Sequence, residues 1–363
     1  MGLGKFFIKM SDLFTIYRWS NLPAIVRFNE ADSSFSNAML GYFTFYEEDR
    51  NDLLKLMHNK IVENIPKIIL SDIPLNTKKK IIEKDSNVWN QVLDKSKEEL
   101  KGFIEDENIQ KSITKEYELN DTLLKTEKYL RLITAKNEID INKRVFEEFY
   151  NEPDLENEKT LHNLNLKQDL KEKIDDYNQS LFDIIIKLTH LKRWNKMHRN
   201  INSSVSAHSY YVMFTAYILS ISQNVDNDLL FKIITSSLFH DLPEAFTGDV
   251  ISPTKRKVKK LDGIITQIEK DYVLNWALKN KHVNNVVNDI LPLIINPFKG
   301  EYGRFVRTAD LLSALIECSN EIRSGNSNEN FRKAFFGLKT EMKDITPFDV
   351  YSIIDEIEYN TFK

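Results

Sequence analysis

The chain has a single cysteine, Cys318, among 363 residues, so no intrachain disulfide can form. Cys318 lies in an apolar helical pattern and reads as a small core residue rather than a nucleophile. Ten glycines and nine prolines are few for this length, and scarce turn residues favour long helices over a strand-rich fold. No apolar run is long enough to span a bilayer, and the opening MGLGKFFIKMSDLF has neither a sustained apolar core nor a small-residue cleavage site. A net charge of −4 gives no global field for nucleic acid or an acidic membrane. The one basic run, Lys255-Arg256-Lys257-Val258-Lys259-Lys260, reads as a solvated helix face. Also missing are a glycine-rich phosphate loop and a G-x-S-x-G nucleophile elbow. These absences lead us to expect a cytoplasmic protein with neither membrane nor nucleic acid as partner.

What is present is a chain 42% hydrophobic and 29% charged, long enough for two ordinary domains. It contains an internal repeat. YRWSNL from Tyr17 matches KRWNKM from Lys192, and SSFSNAMLGYFTFY at 33–46 matches SSVSAHSYYVMFTAY at 203–217. NIPKIILSDIPLNTKKKI at 64–81 matches DLPEAFTGDVISPTKRKV at 241–258 without a gap, and 125–139 answers 307–322 with one residue slipped. The collinear order implies a tandem duplication: a first copy over 1–150, a polar connecting segment over 151–176, and a second copy over 177–363. This alignment sets Ala38 against His208, Glu63-Asn64 against His240-Asp241, Lys67 against Glu244, and Lys128 against Asp310, while Asp72 keeps its partner Asp249. The first copy keeps the apolar skeleton and loses the polar groups.

In the second copy, Leu181, Ile184, Ile185, Leu188 and Leu191 follow a helical period. Ser206 is a plausible N-cap for a helix with His208 in its first turn, and 228–241 reads as a helix buried on most sides, ended by Pro243 and Gly248. Residues 303–323 form another amphipathic helix, with Asp310 beside Ala309, Leu311 and Leu312. No convincing strand alternation occurs, so the expected fold is all-α. Consecutive residues on a helix diverge by about 100°, so His240 and Asp241 reach one ion only from a helix end. His208 and Asp310 are candidates to close the site. Two imidazoles and two carboxylates suit one divalent ion, with Mn²⁺, Co²⁺, Fe²⁺ or Ni²⁺ favoured over Zn²⁺ or Mg²⁺. Glu244, one turn on, is placed to take a proton from water, and Asp249 to protonate a leaving oxygen. Each residue also has a plainer reading: His208 as a hydrogen-bonded residue at a helix start, Asp310 as a buried acid paired with Arg307 or Arg193, and the rest as surface acids.

The set His208, His240-Asp241, Glu244, Asp249 and Asp310 resembles the HD-domain metal-dependent phosphohydrolases. The loop form RW…AHS…HDLPEAFTGD…PTK is most similar to the bacterial HD-domain 5′-deoxynucleotidases. The resemblance spans about residues 180–325, and more weakly 10–140, where the ligands are missing. It implies tandem HD-like helical bundles, with metal ligation by His208, His240, Asp241 and Asp310 and acid/base roles for Glu244 and Asp249. It also implies a phosphate contact by Arg193, packing of Trp194 near the sugar, and a further phosphate contact by Lys255. The alternative for Arg193 and Trp194 is a structural ion pair and a core aromatic, because Arg18 and Trp19 keep both in the first copy. The acid usual before the first ligand histidine is absent; Ser206 and Ala207 stand there. The activity implied is release of phosphate from nucleotides, most simply (deoxy)nucleoside 5′-monophosphates. Nucleoside triphosphates, cyclic nucleotides and a non-catalytic nucleotide-binding regulator are the alternatives. A decayed copy fused in one chain would give a pseudo-dimer, with a homo-oligomer still open.

Overall fold

The structure, a computed structural model, describes residues 2–71, 73–249, 258, 260–342 and 350–363, with backbone alone at 75 and 76. Among the described residues there is no strand, only two isolated antiparallel bridges, Tyr17 with Asn29 and Lys192 with Ser204. Lys255 and Asp72 lie outside the described residues.

The first half carries α1 (Leu3–Met10), α2 (Glu30–Phe45), α3 (Arg50–Val62), α4 (Lys67–Leu70) and α5 (Leu75–Lys84). These are followed by α6 (Ser86–Lys101), α7 (Glu107–Thr114) and α8 (Asp121–Lys143). Then come α9 (Glu147–Asn163) and α10 (Gln168–His190). The second half continues with α11 (Val205–Ser222), α12 (Asn227–Phe239), α13 (Glu244–Thr247) and α14 (Leu261–Ala277). It ends with α15 (Lys281–Ile295), α16 (Gly300–Arg323), α17 (Glu329–Met342) and α18 (Tyr351–Phe362). No helix of the described residues is long and apolar enough to cross a membrane.

Helix starts are fixed by side-chain caps. The Asn29 side chain accepts from the Asp32 amide while Asp32 accepts from the Asn29 amide, a capping box that starts α2. Ser204, not Ser206, caps α11 by accepting from the Ala207 amide. Asp226 caps α12 and Asn120 caps α8 in the same way. α2 is buried along its whole length and α11 from Val205 to Ser220, so these two helices pack on each other at the centre of one continuous apolar core.

The halves interlock. α1 packs on α18 at the far end of the chain, where the Gly4 amide donates to Glu356 Oε2 at 2.8 Å. A Cβ on Gly4 would stand 2.7 Å from the Ile353 carbonyl oxygen, so the close approach needs glycine. Tyr42 and Thr235 share a hydrogen bond of 2.7 Å across the halves, and Asn64 donates to the Tyr210 hydroxyl at 3.0 Å. The segment read as a polar connection is helical: Asp154 of α9 pairs with Lys136 and Lys143 of α8, at 2.6 and 2.7 Å.

Asp32 ties the starts of the two central helices together. Its buried carboxylate accepts from the hydroxyls of Ser204 and, at 2.6 Å, Ser206. Burial outweighs these bonds and pushes its pKa up to about 6. Because the folded value is above the unfolded one, this group favours the fold most below pH 4 and progressively less as pH rises through 6. Asp32→Asn is therefore expected to gain in melting temperature relative to wild type between pH 4 and pH 8, by the equivalent of about 1–3 kcal/mol. Thermal melts of both chains across that range check it.

Candidate metal centre

The site is assembled by three helix segments around Glu317 of α16. The chain leaving α10 bridges back through Lys192 and Ser204, and this turn holds Trp194 at φ 57°, a left-handed conformation rare for a bulky residue. Glu317 compensates the turn. It accepts from Arg193 Nε at 3.1 Å, Trp194 Nε1 at 3.0 Å, Arg199 Nη1 at 3.0 Å and the Ser203 hydroxyl at 2.7 Å. Glu321, one turn on, accepts from Arg199 Nε at 3.1 Å and from the amides of Asn200 and Ile201 at 2.8 and 3.0 Å. Burial alone would raise the Glu317 carboxyl, yet Arg193 and its other partners hold it well below the usual carboxylate range.

The structure brings together four of the expected residues. His208 stands in the first turn of α11 and is fully buried; its Nδ1 lies 3.0 Å from Ser313 Oγ and 3.4 Å from Glu317 Oε1. His240 follows the end of α12, and its Nδ1 lies 2.8 Å from the Ser237 carbonyl, to which it donates. With Nδ1 of each ring so engaged, both Nε2 atoms turn inward, 3.3 Å apart. Asp241 Oδ2 lies 3.2 Å from His240 Nε2 and 3.7 Å from His208 Nε2. His208, His240 and Asp241 offer one ligand atom each within 4.8 Å of one another. Asp310 Oδ1 is 3.3 Å from His208 Nε2, while its Oδ2 accepts from Arg307 at 2.8 Å.

Two imidazole nitrogens and two carboxylates crowded at one point need positive charge among them, supplied by protons on the rings or, with both Nε2 atoms deprotonated, by a metal; the donor set fits a divalent ion. The Asp241 carboxyl is low although burial opposes it, because His240, then His208 and Arg193, stabilise its charge. Asp310 is low for the same kind of reason, through His208 and Arg307. His240 is raised against burial by Asp241.

The remaining expected residues are placed nearby. Glu244 opens α13, one turn beyond Asp241, with Pro243 at the start of this short helix. Gly248, at φ 75°, ends α13 and leads into Asp249. Arg193 Nη1 lies 3.6 Å from Asp241 Oδ2, so its guanidinium bridges Glu317 to the candidate ligands. The Trp194 ring stands 5.9 Å from that of Phe331, and Phe298 walls the site beside His240. Sequence reasoning missed Glu317, Glu321, Arg199 and Ser203. The available signal was two acids, Glu317 and Glu321, one turn apart on an otherwise apolar helix stretch.

Removing Glu317 tests this frame. Glu317→Ala removes the main carboxylate facing Arg193, leaves Arg199 with Glu321 alone, and is expected to cost about 3–5 kcal/mol in denaturant unfolding. Glu317→Gln keeps the shape and removes the charge. It is expected to retain the fold but hold metal about 10–100-fold more weakly, read by metal analysis of the dialysed protein.

Residues 180–359 match the family model described as 5′-deoxynucleotidase YfbR-like. A 5′-deoxynucleotidase of Pectobacterium atrosepticum is 26% identical over 182 residues, covering 49% of this chain and 90% of that protein. One of Photorhabdus temperata is 29% identical over 157 residues, covering 42% of this chain and 79% of that protein. The crystal structure of an HD-domain phosphohydrolase from Listeria innocua aligns with 51% of this chain and 84% of its own, at 21% identity and a TM-score of 0.40. The candidate ligands all lie inside the matched span, residues 180–359, which is similar to the YfbR-like 5′-deoxynucleotidases.

Proposed function

We propose that this chain hydrolyses the phosphoester of deoxynucleoside 5′-monophosphates at the cluster formed by His208, His240, Asp241 and Asp310. The observation that carries the reading is the convergence of the two imidazole Nε2 atoms and the Asp241 carboxylate on one point. The relatives' names supply the substrate class. A divalent ion held there supplies Lewis acidity to water and to the phosphoryl oxygens. Arg193 is anchored by Glu317 through Nε and presents the outer part of its guanidinium to the phosphate. Glu244, one turn past Asp241, takes the proton from the attacking water. Asp249, beyond Gly248, returns a proton to the leaving 5′-oxygen. Trp194, held by Glu317 and Phe331, borders the sugar and disfavours a 2′-hydroxyl.

Phosphate release from a panel of deoxy- and ribonucleoside monophosphates, triphosphates and cyclic nucleotides, with Mn²⁺ or Co²⁺ added, tests this. Asp241→Ala is expected to lose at least about 1,000-fold in kcat/KM. Release confined to triphosphates or cyclic nucleotides would overturn the substrate class; equal release by Asp241→Ala would overturn the site.

We further infer that the first half is a copy of the second that lost the ligands and fills the place of a partner subunit. Matched details support it. Trp19 at φ 53° corresponds to Trp194, and Arg18 Nε and Trp19 Nε1 both donate to Glu138 at 2.8 Å, as Arg193 and Trp194 do to Glu317. Asn142 accepts from the amides of Ile25 and Val26 as Glu321 does from those of Asn200 and Ile201. These anchors shift the sequence register. Ser33, four residues past the cap Asn29, answers His208, and Arg131, seven residues before Glu138, answers Asp310. Ala38 and Lys128 are displaced from those positions. The pairing of Glu63-Asn64 with His240-Asp241 agrees with the matching short helices α4 and α13. Light scattering is expected to give the mass of one chain; a dimer joined through α2 or α11 would overturn the inference.

A further inference from the structure

Asp310 gives its two oxygens to different neighbours. Oδ1 lies 3.3 Å from His208 Nε2, among the candidate ligands, while Oδ2 accepts from Arg307 Nη1 at 2.8 Å. Arg307 stands one turn before Asp310 on α16, so the helix sets the two side chains side by side. Two further contacts hold the guanidinium. Its Nη2 donates to Glu341 Oε1 at 2.6 Å, from the last turn of α17. Its central carbon lies 5.1 Å from the centre of the Phe298 ring, which itself stands 6.5 Å from the His240 ring. The turn that brings Phe298 onto α16 is tight, since a Cβ on Gly303 would stand 2.1 Å from the Phe298 carbonyl carbon.

Arg307 is thus clamped between a candidate ligand, an acid from another helix and an aromatic wall of the site. Its fork is split, with one nitrogen for each carboxylate, so it cannot leave Asp310 and still serve both. A carboxylate free at both oxygens can close on a cation with the pair of them. One whose second oxygen accepts from a guanidinium offers a single oxygen.

We propose that Arg307 is a positioning residue. It holds back Oδ2 of Asp310, so that Asp310 gives a divalent ion one oxygen and leaves a coordination position for water or substrate. Glu341 keeps the guanidinium in that place. The inference rests on the metal-centre reading above and deepens it. Removing Arg307 has two consequences of the same sign for an ion: an oxygen is released towards it, and a positive charge beside it is lost. Both strengthen metal binding, while the coordination position that turnover needs is filled. Loss of a merely structural contact would loosen the helices and weaken metal binding instead.

The test is calorimetric titration of Mn²⁺ into the full chain after removal of metal with a chelator. Arg307→Met is expected to bind Mn²⁺ about tenfold more tightly than wild type. Its kcat on the phosphate monoester that wild type hydrolyses is expected to fall about 10–100-fold. Arg307→Lys keeps the charge on a single donor atom and is expected to fall between the two on both readouts. The visible spectrum of the Co²⁺-loaded chain is expected to change in Arg307→Met and to return towards wild type in Arg307→Lys, as the ligand set is altered and then partly restored. Mn²⁺ affinity in Arg307→Met equal to or weaker than that of wild type overturns the proposal. If Arg307→Met does not fold, the same comparison is made with Arg307→Lys. Wild type that takes up no Mn²⁺, or no more than Asp241→Ala does, overturns the metal-centre reading and this proposal with it, so the two failures are told apart by the wild-type titration.

Discussion

The contact on which the second half depends is the buried carboxylate of Glu317. It neutralises Arg193 and shares Arg199 with Glu321. The same oxygens fix a tryptophan held in a left-handed turn and stand beside Nδ1 of His208. In a low-dielectric core a lone carboxylate or guanidinium is strongly unfavourable, so these groups hold one another in place. The charges left over are Asp241 and Asp310. Arg193 Nη1 and Arg307 answer them only in part, with Asp310 facing the two inward imidazoles as well. The frame is neutralised by protein; the site it surrounds is left with an excess of negative donors.

The first half has a similar frame around different groups. Glu138 holds Arg18 and Trp19 there, and Asn142 secures the backbone after the turn. The charges at the centre are instead balanced internally, with Arg131 between Glu63 and Glu127. A protein cation thus occupies the electrostatic role that a metal would have beside Asp241. In each half the framework is held by contacts separate from those at its centre.

Helix packing joins the halves more tightly than a linker would. α2 and α11 share the core, and Asp32 of one reaches the cap of the other, four residues before His208. α1 lies on α18 through the close contact at Gly4. The start of the helix that delivers His208 is therefore supported by a carboxylate from the first half.

Local chemistry made much of this legible in the sequence. Scarce glycine and proline, and apolar residues at helical spacing, gave the all-α fold. Loss of polar groups between two matching segments singled out His208, His240, Asp241, Glu244 and Asp310. The Arg-Trp pair, kept in both segments, pointed equally to a structural role, and the contacts with Glu317 and Glu138 give it one. The register between segments and the identity of Glu317 were not legible, because both depend on partners more than 100 residues away in sequence. A one-dimensional match cannot tell which of several neighbouring residues faces a given turn. The sequence by itself determined which residues have the chemistry to hold an ion and which half lacks it. Tertiary structure decided that two imidazoles turn their Nε2 atoms to one point, since that follows from groups brought together only when distant helices pack.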